Sequence, residues 1–324
     1  MSSSELTALR TFVKRLLLFF LPCAIYAGFI CACDPFNFIS TRSLISDQVK
    51  LPLANVLNMC LLKMIRLRRE PAPNIMLGDS RMLEILDNRV SQMKGERYAN
   101  MAYGGASLRE CIETFWFASR LTQLHQVYLG VDLEIYNDYN LFDRTETYRS
   151  VEDNPALYFI NRTVFQASAY SAYTAFTRKT LKLDAVNVDR KTFWNNELNG
   201  PQTTRLLQNY LYPTNYHAEL LKIGSYAKQH GIDLTFVIFP THTDYQARFE
   251  AFGLQSQQAR MREDLAAIAP VIDFDYPNDL TRDEANFRDP VHLAQHALTE
   301  ITDEIWGQRG QLARRYPSAP GSKL

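Results

Sequence analysis

The sequence predicts an α/β domain with a central parallel sheet, carried behind an N-terminal membrane helix. Three observations predict it. Short apolar runs alternate with helix-spaced segments from Asn74 to Gln308. An uncharged apolar stretch fills Leu16 to Cys33. A Gly-Asp-Ser turn follows the first apolar run, and an Asp-x-x-His precedes the last helix-spaced segment.

The N-terminal stretch is just long enough to cross the hydrocarbon core, which needs about 17–25 residues. Arg10, Lys14 and Arg15 precede it and Asp34 follows it, so the positive-inside rule places residues 1–34 as a cytoplasmic N-terminus and single-pass anchor. Everything after Asp34 is then expected outside the inner (cytoplasmic) membrane, on the periplasmic side. Two rivals stay open: a cleaved signal peptide, for which Cys31-Ala32-Cys33 is a poor site, and a lipoprotein lipidated at Cys33. Residues 35–70 are expected as a linker and amphipathic helix. The apolar spacing from Leu51 to Leu67 suits a helix packed on the core or lying on the membrane surface.

Pro71 and Pro73 end that segment, and residues 71–309 form the expected main domain. Strands are predicted at Asn74–Leu77, Arg97–Met101, Gln126–Val131, Leu234–Phe239 and Val271–Phe274. Helices are predicted at Met82–Met93, Leu108–Leu124, Tyr216–His230, Leu254–Ile268 and Val291–Gln308. The polar-aromatic stretch of about 136–213 breaks the rhythm and reads as an insertion. Residues 310–324 read as a disordered tail.

Composition excludes several classes. Thirty-five basic and 35 acidic residues give zero net charge, against a nucleic-acid binder. Five cysteines contain no C-x-x-C, so a zinc or thioredoxin-like site has no support; Cys60 and Cys111 are expected as free buried thiols, a disulfide between them being the alternative. No Walker loop, G-x-G-x-x-G or H-E-x-x-H is present, and neither cofactor nor metal is expected.

A serine at a strand-to-helix turn projects at the carboxyl end of a parallel sheet, where such sheets bind ligands. Its hydroxyl is a weak nucleophile until a base takes its proton and a third group fixes the base. Ser80 supplies the first; His292 and Asp289, three residues apart, supply the others. Alone, Gly78-Asp79-Ser80 is also ordinary helix-cap chemistry. The pairing with Asp289-Pro290-Val291-His292 is the rarer coincidence.

These residues resemble the SGNH/GDSL hydrolase superfamily: Gly78-Asp79-Ser80 after the first strand, a glycine after the second, and a late Asp289-x-x-His292. The resemblance implies a three-layer, flavodoxin-like fold and carries the triad to Ser80, Asp289 and His292. It gives an oxyanion hole from the amides of Ser80 and Gly105, with Gly104 or Asn137 as alternates. Where the superfamily usually has an asparagine after the third strand, this chain has Asp132, which cannot donate when ionised. The chain is most similar to membrane-anchored SGNH-like O-acyltransferases of cell-envelope and polysaccharide operons, of the alginate O-acetylation and D-alanyl transfer type. That implies an O-acyltransferase, most simply an O-acetyltransferase, with a polysaccharide acceptor and a multi-spanning membrane acyltransferase partner supplying the acyl group. The alternatives are an esterase with the same triad and a non-catalytic envelope assembly factor.

Three further groups are candidates for substrate contact. Arg81 neighbours the nucleophile, Asp132 follows the third strand, and His242 follows the fourth strand, where it could also compete as base. The aromatics Tyr136, Tyr139, Phe142, Tyr148, Tyr158 and Phe159 suit either a sugar-stacking platform or a subdomain core.

Overall fold

The computed structural model describes residues 3–179, 189–307 and 310–317. The chain divides into two compact units: Met1–Arg66 with Glu146–Ala185, and Leu67–Thr145 with Val186–Leu324.

In the first unit a helix runs continuously from Ser3 to Cys33, through Pro22. It is the one helix among the described residues long and apolar enough to cross a membrane. Asp34, at its end, accepts from the backbone of Phe38, Ile39 and Ser40 and from the Tyr158 hydroxyl at 2.8 Å. A buried carboxylate saturated in this way closes the loop after the helix. The helix Asp47–Arg69 kinks at Asn58 (φ −157°, ψ 85°), whose side chain caps Leu61 N at 2.9 Å. Cys60, Leu61, Leu62, Met64 and Ile65 of this helix are buried.

The second unit holds a six-stranded sheet: β1 (Asn74–Leu77), β2 (Tyr98–Asn100), β3 (Gln126–Gly130), β4 (Asp233–Ile238), β5 (Val271–Asp273) and β6 (Arg314–Tyr316). Their order is β2-β1-β3-β4-β5-β6, the first five parallel and the sixth antiparallel to β5. β1 is buried at every position, which is why its sequence reads as an unbroken apolar run rather than an alternating one. The expected α/β fold with a central parallel sheet is observed, in the flavodoxin-like strand order.

Three expectations need correction. The predicted Met82–Met93 helix is two, Ser80–Leu83 and Asp87–Lys94. The Asn100 side chain takes the break, donating to the carbonyls of Met82 and Ile85 at 2.8 Å each. The closing helix begins at Gln295, not Val291, because the preceding residues turn around Asp289. Arg314–Tyr316, placed in a disordered tail, forms β6, because β5 offers an unpaired edge and Glu304 accepts from the amides of Leu312 and Ala313 at 2.9 Å. Cys60 and Cys111 are both buried free thiols.

The order in which strands are added reverses between β1 and β3, β2 lying on one side of β1 and β3 on the other. At this switch point Gly78 has φ +145°, and a Cβ there would lie 2.9 Å from Met82 Cβ and 3.3 Å from the Gly130 backbone. Only glycine fits both the conformation and the space. Gly78→Ala should therefore cost about 1–3 kcal/mol, read as a lowered unfolding midpoint. An unchanged midpoint would refute the close crossing of β1 and β3.

Candidate active site

Ser80 opens the short helix after β1. Asp79 is its N-cap: its carboxylate accepts from Arg81 N at 2.9 Å, holding the backbone in the turn that presents Ser80. Ser80 Oγ lies 2.7 Å from His292 Nε2. The other ring nitrogen, Nδ1, is 2.9 Å from each Asp289 carboxylate oxygen. Asp289 also accepts from the amides of Val291 and His292 at 3.0 and 2.9 Å, so one carboxylate shapes the loop and fixes the ring. Residues 212 positions apart in sequence thus meet at the carboxyl end of β1.

The charges follow from this geometry. Burial favours an uncharged Asp289, but the hydrogen bond and charge of His292 outweigh it, and the pKa falls. Burial likewise favours neutral His292. The hydrogen bond and charge of Asp289, joined by Glu84, outweigh it and raise the pKa above its usual 6.5. Glu84 is itself held by an ion pair with Arg288.

Behind the nucleophile lies a buried ionic cluster. The Arg81 guanidinium, 5% exposed, pairs with Asp79 at 2.5 Å and with Asp132, and lies 3.5 Å from Glu134. Three carboxylates share one cation. Burial, opposed by Arg81 and reinforced by Asp79 and Glu134, pushes the Asp132 carboxyl up to about 7. Asp132 also accepts from the amides of Glu134 and Ile135 at 2.7 and 3.0 Å. It anchors the turn after β3, and Arg81, which borders the cleft, is held by carboxylates.

Gly104 and Gly105 both border the cleft, Gly105 with φ +61°. Arg144 fixes their turn. It is gripped by the fully buried Glu110 at 2.7–2.8 Å and donates to Gly104 O at 2.9 Å. Asn137 does not reach the cleft. Its side chain donates to Leu206 O and accepts from the amides of Tyr139 and Leu211, all at 3.0 Å. His242 is not against Ser80 either: it caps the helix Thr243–Ala251, with its ring edge-on to Trp194 and Phe287. Of the six aromatics, Tyr139 and Phe142 border the cleft. Tyr136, Tyr148 and Tyr158 are fully buried, so the six form no single platform.

The cleft beside Ser80 encloses about 1160 Å³. Asn140, Asn196, Gln202 and Thr203 give it hydrogen-bonding walls. Glu197, on the helix Arg190–Asn199, also faces it. Its pKa is raised by burial first and by the charge of Asp289 second. Glu197 lies in the stretch that reads as an insertion, and no local motif marks it.

Fold and side chains together define the class: a parallel-sheet α/β protein with a serine–histidine–aspartate triad at its topological switch point. No protein-family model and no curated protein matches the chain. Solved structures similar to it include one from Streptococcus pneumonia provisionally described as a platelet activating factor, 10% identical, covering 76% of this chain and 91% of that one with a TM-score of 0.39. A provisionally described acylhydrolase from Bacteroides fragilis NCTC 9343 is 9% identical over 79% of this chain and 95% of that one, TM-score 0.38. A provisionally described lipolytic protein of the G-D-S-L family from Desulfitobacterium hafniense DCB-2 is 9% identical over 72% and 98%, TM-score 0.36.

If His292 acts as base it must be neutral, so activity should rise with pH through a midpoint above 6.5. Glu84→Gln removes one charge that favours the protonated ring. Its acidic limb in kcat/KM should move to lower pH; a limb unmoved or moved upward would separate Glu84 from His292.

Proposed function

We propose that this protein is a serine O-acyltransferase, most simply an O-acetyltransferase, that modifies an envelope or exported polysaccharide. The observation that carries the chemistry is the Ser80–His292–Asp289 contact: Oγ at 2.7 Å from Nε2, with Nδ1 held at 2.9 Å by carboxylate. Ser80 Oγ attacks the acyl carbonyl while His292 Nε2 takes its proton. The donor alcohol leaves with that proton, and the acyl group stays on Ser80 as an ester. An acceptor hydroxyl then gives its proton to Nε2 and attacks the ester carbonyl, and collapse returns the proton to Ser80. Asp289 holds the tautomer and stabilises the imidazolium. The amides of Ser80 and Gly105 are assigned to the oxyanion.

Transfer rather than hydrolysis is supported by two features. The cleft carries amide and hydroxyl side chains suited to a polyhydroxyl acceptor. The Ser4–Cys33 helix is suited to hold the protein at a membrane, where a multi-spanning acyltransferase can supply the acyl group. On this reading the N-terminus is cytoplasmic and the triad faces the periplasm. An esterase shares every step, with water in place of the acceptor.

Ser80→Ala and His292→Ala should each reduce turnover by about 10³-fold or more without unfolding the protein, and the double variant should lose little further. Intact-mass measurement after incubation with an acetyl ester should show one acetyl group, absent in Ser80→Ala. Near-normal turnover in Ser80→Ala would remove the mechanism. Acetyl appearing only as free acetate with a polysaccharide present would replace transferase by esterase.

A further inference from the structure

The first unit exposes apolar side chains that its own packing does not use, and one of them, Phe165, lies beside Tyr26 of the Ser3–Cys33 helix. Along that helix every described residue through Ile25 is exposed, and burial begins at Tyr26. From Tyr26 onward one side of the helix is covered, while Gly28 and Cys31 stay exposed. The Tyr26 hydroxyl donates to Phe159 O at 2.7 Å, and its ring lies 6.0 Å from that of Phe165. Leu44 N donates to Ala32 O at 3.0 Å, bringing the following loop back onto the last turn.

Phe165 belongs to the helix Arg162–Thr177, which has two distinct faces. Val164, Ala167, Ser168 and Ser171 are buried, and their small size admits close packing. Phe165, Ala169, Ala172, Tyr173 and Phe176 recur at i, i+4, i+7, i+8 and i+11, one continuous stripe on a different face. This stripe is not buried: Phe176 is 94% exposed, and Phe165 and Tyr173 are each 45% exposed. Ile160, just before the helix, and Leu44 are 73% and 88% exposed. Arg162 opens the helix, and Arg178 and Lys179 follow it, all exposed. An aromatic stripe with cationic ends is the pattern of a helix lying in a lipid headgroup layer.

We infer that the helix Arg162–Thr177 lies in the lipid–water boundary of the membrane crossed by Ser4–Cys33, presenting Phe165, Tyr173 and Phe176 to lipid. The occupant of the stripe is lipid because the stripe starts beside Tyr26, where the spanning helix passes from full exposure into protein. This rests on the membrane-anchor reading and is independent of the acyl-transfer reading. It gives the first unit two membrane contacts, one crossing and one lying flat, which together restrict its tilt.

The test uses the full chain in phosphatidylethanolamine–phosphatidylglycerol vesicles. Phe176→Trp places a reporter on the stripe; Thr177→Trp places one a residue later, off it. The three native tryptophans are subtracted with the unsubstituted protein. Lipids brominated near the headgroup end of the acyl chain should quench the position-176 signal at least about threefold more than the position-177 signal, since such helices bury their apolar face about 5–10 Å deep. Equal quenching, or none, in protein that resists alkaline carbonate extraction would overturn the lipid-facing stripe and leave the anchor standing. Loss of quenching together with cross-linking between copies of a Phe176→Cys variant would assign the stripe to a second copy instead. Release by carbonate would overturn both the anchor and this inference, while the acetyl-enzyme assay would still judge the acyl chemistry.

Discussion

The second unit depends on the close approach of β1 and β3 at their carboxyl ends. Gly78 leaves β1 with a positive φ and no room for a Cβ against Met82 and Gly130. That crossing lets the chain turn at once into Asp79 and the short Ser80 helix. β2 lies on the other side, tied to the same turn by Tyr103 N on Gly78 O at 3.0 Å. Asn100 caps the carbonyls of the nucleophile helix from there.

Electrostatics then set what each carboxylate does. Asp289 and Asp132 both lie in loops beyond sheet strands and both are buried, yet they serve different partners. Asp289 is given a histidine and two amides, so it stays charged and fixes the tautomer. Asp132 must share Arg81 with Asp79 and Glu134, so its carboxyl is pushed up to about 7. Breaking such a buried pair leaves an uncompensated charge, a cost of about 3–5 kcal/mol. The cluster beside Ser80 is therefore held in place by paired charges.

The triad was legible because its parts are local signatures. A Gly-Asp-Ser after an apolar run and an Asp-x-x-His before a helix each have a short-range reason: a turn, a cap, a carboxylate three residues from its ring. The sheet was legible for the same reason, since burial on both faces leaves unbroken apolar runs such as Asn74–Leu77. For Asn137, His242 and Arg81 the sequence shows a place near a strand end but not what each bonds. Asn137 is spent on three backbone groups, His242 caps its own helix, and Arg81 is enclosed by carboxylates. Glu197 shows the converse. It faces the cleft from a stretch with no motif, so only the folded chain brings it to the triad.

By itself the sequence determined what depends on neighbours along the chain: the apolar helix, the strand–helix rhythm, the turn that exposes Ser80 and the loop that pairs Asp289 with His292. The tertiary structure alone decided what depends on distance through space. It joined Ser80 to His292 at 2.7 Å, set β6 on the edge of β5, turned the Asp132 carboxylate toward Arg81, and left the Phe165–Phe176 stripe uncovered. The reason is physical. Periodicity and capping energies act over a few residues, whereas desolvation, charge pairing and exposure are fixed only when remote segments pack.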